Sequence, residues 1–266
     1  MPPAFGRIVC GVDGSRSDAL AVEQALALCE TATALTFVCV RDERGAGATR
    51  QATISAERAE HALREAVDRA REAHIDATAE LLEGRDPGRL LVDEASRSDL
   101  LVVASHGGPR AAGITLGSTA SAAVHRAQVP VLVARRPPDG HDFPDRLLVA
   151  TDGSPDAARA VELTARIAHR HRSVVYMLSV APEPHGDPRR IAVDAVNLTA
   201  ELEREPTVLR ASGHAGEQIL HAAARESVSL VVVGSRGLTG VRALGSVSER
   251  VAHRASCSVL VARPAA

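Results

Sequence analysis

Arg7-Ile-Val-Cys-Gly-Val-Asp-Gly-Ser15 returns later in the chain as Arg146-Leu-Leu-Val-Ala-Thr-Asp-Gly-Ser154. Working outward, Leu100-Leu-Val-Val-Ala-Ser-His-Gly107 returns as Leu230-Val-Val-Val-Gly-Ser-Arg-Gly237, and Gly117-Ser118 returns as Gly245-Ser246. Each half closes on a similar apolar run, Val129-Pro-Val-Leu-Val-Ala134 and Cys257-Ser-Val-Leu-Val-Ala262. The order is the same in both halves, so the chain is one domain duplicated. The 266 residues divide into two domains of roughly 135 residues, each long enough to bury its own core. We place the first at 1–136, a linker at 137–145 and the second at 146–266.

Short apolar runs alternate with segments whose apolar residues recur at spacings of three and four. In the first copy, strands are expected at Ile8–Val12, Leu35–Val40, Ala77–Leu82, Leu100–Ala104 and Val129–Ala134. Helices are expected from Ala19 through Leu28, from Ile54 to Ala73, around Arg89–Ser96, and from Ser118 to Arg126. The second copy repeats the strands near Leu147–Thr151, Val174–Val180, Thr207–Ala211, Leu230–Gly234 and Ser258–Ala262. Such alternation implies parallel crossovers, and continuous Val/Ile/Leu strands imply a sheet covered on both faces. The fold class is α/β: two tandem, doubly wound, Rossmann-like domains with five-stranded parallel sheets. Asp13 and Asp152 are 139 apart but Gly84 and Gly213 only 129, so the second copy is ten residues shorter between its second and third strands. Pro182, Pro184 and Pro188 lie in that segment, where a late, short helix is expected.

Hydrophobic residues make up 45%, charged residues 24%, and the net charge is −2, so no basic excess draws the chain to nucleic acid or acidic lipid. No apolar stretch approaches the roughly 20 residues of a membrane span, and the start lacks a signal-peptide layout. Cys10, Cys29, Cys39 and Cys257 show no metal-type spacing, and Cys10 and Cys39 sit in apolar strands as reduced thiols. A cytoplasmic protein is expected. Aromatic residues at 2% leave few stacking platforms for bases.

In an open parallel sheet, ligands bind beyond the carboxyl ends of the strands, where strand order reverses. Asp13-Gly14 and Asp152-Gly153, the strand-two ends at Val40 and Val180, and the Gly-rich loops after strand four should meet there. Those loops run into helices starting at Gly117-Ser118 and Gly245-Ser246, where unpaired N–H groups and the helix dipole favour phosphate. The alternative is that these residues are turns and caps, as Ser154-Pro155 could be.

The paired spacing resembles that of the universal stress protein family, and the resemblance covers nearly the whole chain as a tandem member. Nucleotide-binding members carry Gly, two residues, Gly, nine residues, then Gly followed by Ser or Thr, with an aspartate after the first strand. Gly234-Ser-Arg-Gly237 followed by Gly245-Ser-Val-Ser-Glu-Arg-Val251 is similar to that signature. The resemblance implies that Asp13 or Asp152 holds a ribose and that backbone at Val40 or Val180 meets adenine. It implies that Ala104, Gly107, Gly117, Ser118 and Thr119, or Gly234, Gly237, Gly245, Ser246 and Val247, line the phosphates of ATP, with or without Mg²⁺. It also implies pairing through the final strand, between the two copies or between two chains.

Neither copy matches fully. The first has Ala104 for the leading glycine but keeps nine residues between Gly107 and Gly117; the second keeps both glycines but has seven between Gly237 and Gly245. Alanine costs on the order of 1 kcal/mol if positive φ is required, whereas two missing residues remove up to about 7 Å of reach. Ser246-Val-Ser-Glu249 has capping-box spacing, which would turn Ser246 inward and set a carboxylate beside the phosphates. The first copy is therefore the expected site.

His106 and Arg236 are phosphate contacts or solvated loop residues, and Asp13 and Asp152 are ribose ligands or helix caps. His125 and His253 suit the ends of their helices electrostatically. The Arg- and Glu-rich run from Glu57 to Glu72 reads as a solvated face. The expected function is adenine-nucleotide binding that senses or signals to a protein partner, through ligand-dependent ordering of the loops. A slow ATPase or nucleotidyl transferase on the same cradle, and an interaction module without nucleotide, remain alternatives. No catalytic triad, paired catalytic carboxylates or metal cluster recurs in both copies.

Overall fold

The computed structural model describes residues 3–41, 55–106, 116–181, 204–236 and 244–263, with residues 196, 198, 200 and 202. One unit is Phe5–Ala134 and the other begins at Arg135. In the first, β1 (Arg7–Val12), β2 (Ala34–Arg41), β3 (Ala77–Glu83), β4 (Leu100–Ala104) and β5 (Val131–Ala134) lie in the order β3-β2-β1-β4-β5. Every neighbouring pair is parallel. The crossovers run through α1 (Asp18–Ala27), α2 (Ala56–Glu72), α3 (Pro87–Glu94) and α4 (Ser118–Arg126). Right-handed connections put α1 and α2 on one face and α3 and α4 on the other, where α3 packs on α4. Leu100 to Val103 of β4 are buried, as a strand covered on both faces requires.

Local chemistry explains where the elements begin. Ser55 caps α2 by accepting from the Arg58 amide, and Glu60–Arg64, Glu65–Arg69 and Asp68–Arg71 pair along its exposed side. Asp86 caps α3 ahead of Pro87, so that helix starts before the expected Arg89 and tightens into a 3-10 turn at Ala95–Arg97. β5 starts at Val131 rather than Val129 because Pro130 has no N–H for the ladder, although its carbonyl still accepts from Leu101.

The second unit repeats the plan. β6 (Arg146–Ala150), β7 (Val174–Ala181), β8 (Thr207–Ser212), β9 (Leu230–Gly234) and β10 (Ser258–Ala262) lie in the order β10-β9-β6-β7-β8, all parallel. Their helices are α5 (Pro155–His171), α6 (Ala215–Arg225) and α7 (Ser246–Arg254). Pro182, Pro184 and Pro188 lie outside the described residues, and residues 196, 198 and 200, late in the same segment where a late helix is expected, are helical. The stretch expected to be a linker is tied down. Arg135 is buried, its amide donating to Ser258 Oγ and its guanidinium to the carbonyls of Ala252 and Cys257. The Asp145 carbonyl accepts from Val174.

The two copies differ where the helix after the first strand begins. A Cβ on Gly234 would lie 2.7 Å from the backbone carbon of Asp156 and 2.9 Å from the amide of Ala157, in the first turn of α5. Glycine here permits a close approach of backbones. It does not serve a positive φ, which decides the condition the sequence left open. Ala104 stands at the matching place, and α1 begins at Asp18, whereas the position matching Pro155 is Arg16 (155 − 139 = 16). A methyl group at the end of β4 and a helix start two residues later belong together. Gly234→Ala is expected to destabilise the chain by about 1–3 kcal/mol through overpacking, read as a lower urea midpoint with an unchanged slope. Ala104→Gly should move the midpoint by less.

Candidate functional site

Strand order reverses between β1 and β4 and between β6 and β9, which places a crevice at the carboxyl ends of those strands in each unit. The turns that leave β1 and β6 depend on Gly14 (φ +73°) and Gly153 (φ +76°), a conformation that strains any other residue. Asp13 Oδ1 accepts from the Ser15 amide at 2.8 Å, and Asp152 Oδ1 from the Ser154 amide at 2.9 Å. Both aspartates fold their own turn and neither caps a helix. Ser154 caps α5 ahead of Pro155, accepting from the Ala157 amide, while α1 has no side-chain cap at Ser17.

Val40 and Val180 sit where their backbone faces the crevice. A residue in a parallel strand directs its N–H and C=O to the same neighbour, alternating along the strand. Ala34 donates to the Gly6 carbonyl on the β1 side, and the Arg41 carbonyl accepts from Gly84 on the β3 side. Val40 shares the parity of Ala34 and so faces β1: its amide completes the last rung, at the pair Val12 and Cys39, and its carbonyl lies beyond the ladder. Its amide meets the Cys39 sulfur, a weak acceptor. In the second unit the Leu178 carbonyl accepts from Thr151 and the β6 ladder ends one rung earlier, at Ala150 and Leu178, short of Val180.

Both phosphate-type loops close on the same bond. The Gly117 amide donates to the Ser105 carbonyl at 2.8 Å, and the Gly245 amide to the Ser235 carbonyl at 2.7 Å. The two residues missing from the second loop are therefore lost from its body, not its base. Gly107 and Gly237 lie in that body, at 107–115 and 237–243, outside the described residues. Gly117 and Gly245 are the residues before the helices, with no side-chain cap, so Ser118 and Ser246 are the first helical residues and are exposed. Thr119 and Val247 follow, half-buried. The expected capping box at Ser246 and Glu249 does not form, because Gly245, extended and tied to Ser235, takes the cap position. Glu249 still places a carboxylate in the first turn of α7, and α4 has none there. His125 and His253 lie in the last turns of α4 and α7.

Three residues that the sequence reading passed over join this region. In the first unit, Asp18 Oδ2 accepts from the amides of Asp13 at 2.7 Å and Gly14 at 2.6 Å, and its carboxyl also bonds that of Asp13. Burial first, then the Asp13 charge, pushes Asp18 up to about 7. Arg58 of α2 lies over Gly14, its Nε 2.9 Å from where a Cβ would stand, and supplies the cation on this side. In the second unit, the residue matching Asp18 is Ala157, and Asp156, matching Ser17, carries the carboxylate instead. Its Oδ2 accepts from Ser235 Oγ at 2.5 Å and from the Arg236 amide at 3.0 Å and Nε at 3.3 Å. In the first unit Ser105 Oγ meets His106 Nδ1 at 3.1 Å. An acidic residue in a helix's first turn is a recognisable sequence signal; which loop it reaches is not. The cysteines are free thiols, and burial raises Cys29 and Cys257 to about 11 and Cys39 to about 12, so they are inert at neutral pH.

Two doubly wound domains with matching crevices, turns and loop closures define a tandem α/β protein. A model of the universal stress protein family matches residues 4–135 and again 144–263, and the chain belongs to that family. A universal stress protein of Mycolicibacterium smegmatis is 31% identical over 231 residues, 78% of each chain. One from Mycobacterium tuberculosis is 30% identical over 220 residues, 77% of each. The crystal structure of a universal stress protein from Archaeoglobus fulgidus superposes with a TM-score of 0.77 at 24% identity, covering 98% of this chain and 97% of that one. Among the described residues, no helix is long and apolar enough to cross a membrane.

The raised Asp18 has a definite pH signature. At pH values below 3.8 it is protonated in folded and unfolded chains alike; between 3.8 and about 7 the folded chain keeps a proton that the unfolded chain releases. Stability therefore falls as pH rises through that window and the loss is complete above it. Asp18→Asn keeps an oxygen for the two amides and removes the charge. It should flatten this fall and raise the melting temperature by several degrees at about pH 8, as thermal unfolding across pH would measure.

Proposed function

We propose that the first copy binds an adenine nucleotide, ATP with or without Mg²⁺, and that the protein senses or signals through it. One observation carries this reading. The Asp13-Gly14 turn, the Val40 backbone edge past the last β1 rung, and the uncapped start of α4 pinned at Ser105 all belong to the crevice end of one sheet. Val40 offers its carbonyl, past the last β1 rung, as an acceptor for an adenine amino group. Asp13 keeps a carboxylate oxygen beyond its turn for a ribose hydroxyl. The amides of Ser118, Thr119 and Ala120 precede the first i to i−4 bond of α4, which runs from Ser121 to Gly117, so they face a phosphate with the helix dipole behind them. The Ser118 and Thr119 hydroxyls add donors. The absence of a carboxylate in the first turn of α4, against Glu249 in α7, supports the first copy as the stronger site.

Signalling follows if nucleotide-bound and nucleotide-free surfaces differ, which requires unequal affinity of the ligand for two arrangements of the loop. Four free thiols suit a cytoplasmic setting. Calorimetric titration with ATP should show saturable binding at or below about 1 mM, and no saturable binding overturns the reading. Gly117→Glu sets a carboxylate at the helix start and should weaken binding by at least about tenfold while the circular dichroism spectrum stays unchanged. Phosphate release during the same titration separates a binder from a slow ATPase.

A further inference from the structure

We propose that Asp156 is the resident anion of the second copy's loop, occupying its donors so that this copy excludes a nucleotide's phosphate. The proposal rests on the reading of the loops as phosphate cradles.

Asp156 is only 6% exposed. A buried carboxylate persists only where it is paired and hydrogen-bonded, and this one is held by three donors from the two residues that open the loop, Ser235 and Arg236. The carbonyl of Ser235 accepts from Gly245. The carboxylate thus engages the segment to which the α7 start is pinned. One guanidinium pairs with it, and a second feels its charge. Arg236 reaches in from the loop with its side chain 42% exposed, and Arg263, buried just beyond β10, feels both the Asp156 and the Arg236 charges. A carboxylate bonded to a backbone N–H, a hydroxyl and arginine is arranged as a bound phosphate oxygen would be.

The first copy lacks this device for two linked reasons. Ser17 stands at the matching position, and Ala104 carries a methyl group where Gly234 lets the helix start close in. The nearest carboxylate, Asp18, is one residue further along and turns to the Asp13 and Gly14 amides, so the hydroxyl of Ser105 meets His106 and no carboxylate. A one-residue shift in the sequence moves the internal anion from the phosphate loop to the first turn. Asymmetry between the copies then comes from a filled anion site more than from two missing loop residues.

The test uses the full chain and counts bound ATP by equilibrium dialysis. The wild type should bind one per chain and Gly117→Glu none. Gly117→Glu combined with Asp156→Ser should again bind one, with affinity at least about tenfold above Gly117→Glu alone. Two nucleotides per wild-type chain, or a folded double variant that stays silent beside a wild type that binds one, overturns the proposal and leaves the nucleotide reading standing. If the wild type binds none, that reading falls, and inorganic phosphate decides this proposal by itself. Asp156→Ser should melt lower than wild type and recover several degrees with added phosphate, while the wild type stays unmoved. An equal response of both, or none from the variant, overturns it. The phosphate series also covers a variant that folds poorly without an anion.

Discussion

Backbone meets backbone where the end of β9 touches the first turn of α5, and no side-chain atom fits between Gly234 and Asp156. Much of the second unit's crevice follows from that approach. It lets α5 begin at Pro155 under the Ser154 cap, and it carries the Asp156 carboxylate to the opening of the loop. It also leaves the Gly234 carbonyl to accept from Ser248, which ties α7 to the same strand end. Where β4 ends in Ala104, the following helix starts later and the carboxylate goes elsewhere. A single methyl group thereby accompanies the difference between the two helix starts.

Electrostatics reinforce the separation. A helix N-terminus and a row of unpaired amides attract an anion of some kind, and each copy supplies one from its own first turn. In the second unit Asp156 pairs with Arg236 and bonds the opening of the loop. In the first, Asp18 sits beside Asp13, and two carboxylates that close do not both ionise easily, so a proton stays near neutrality. The first crevice consequently holds less fixed negative charge at its loop end, and Asp18 titrates beside the turn after β1. Duplication supplied two cradles, and the placement of one carboxylate in each set them apart.

How much was legible in the chain can be judged from particular residues. The Asp-Gly-Ser repeats announced turns that need a left-handed glycine, and Gly14 and Gly153 take that conformation. The start of α4 at Ser118 and the bounds of β9 and β10 follow from patterns that lie wholly within a short window. One reading did not carry over, and two open alternatives were decided. The capping box at Ser246 gave way to Gly245 because a distant partner, the Ser235 carbonyl, holds that glycine extended. The helix-cap role for Asp13 and Asp152 gave way to turns within their own loops. The glycine at 234 matters for close approach and not for φ.

The sequence by itself determined the duplication, the alternation of strands and helices, the parallel sheets and the family, because periodicity and turn chemistry are local and are written twice. The tertiary structure alone decided which carboxylate meets which loop. Asp18 and Asp156 look alike on paper, one acid each in the first turn after an Asp-Gly-Ser. Their partners lie five and seventy-nine residues away respectively, and only the packing of a helix start against a strand end brings the second set together. Pairing across such a separation depends on whether one Cβ is present, which becomes decisive only when the two backbones are in contact.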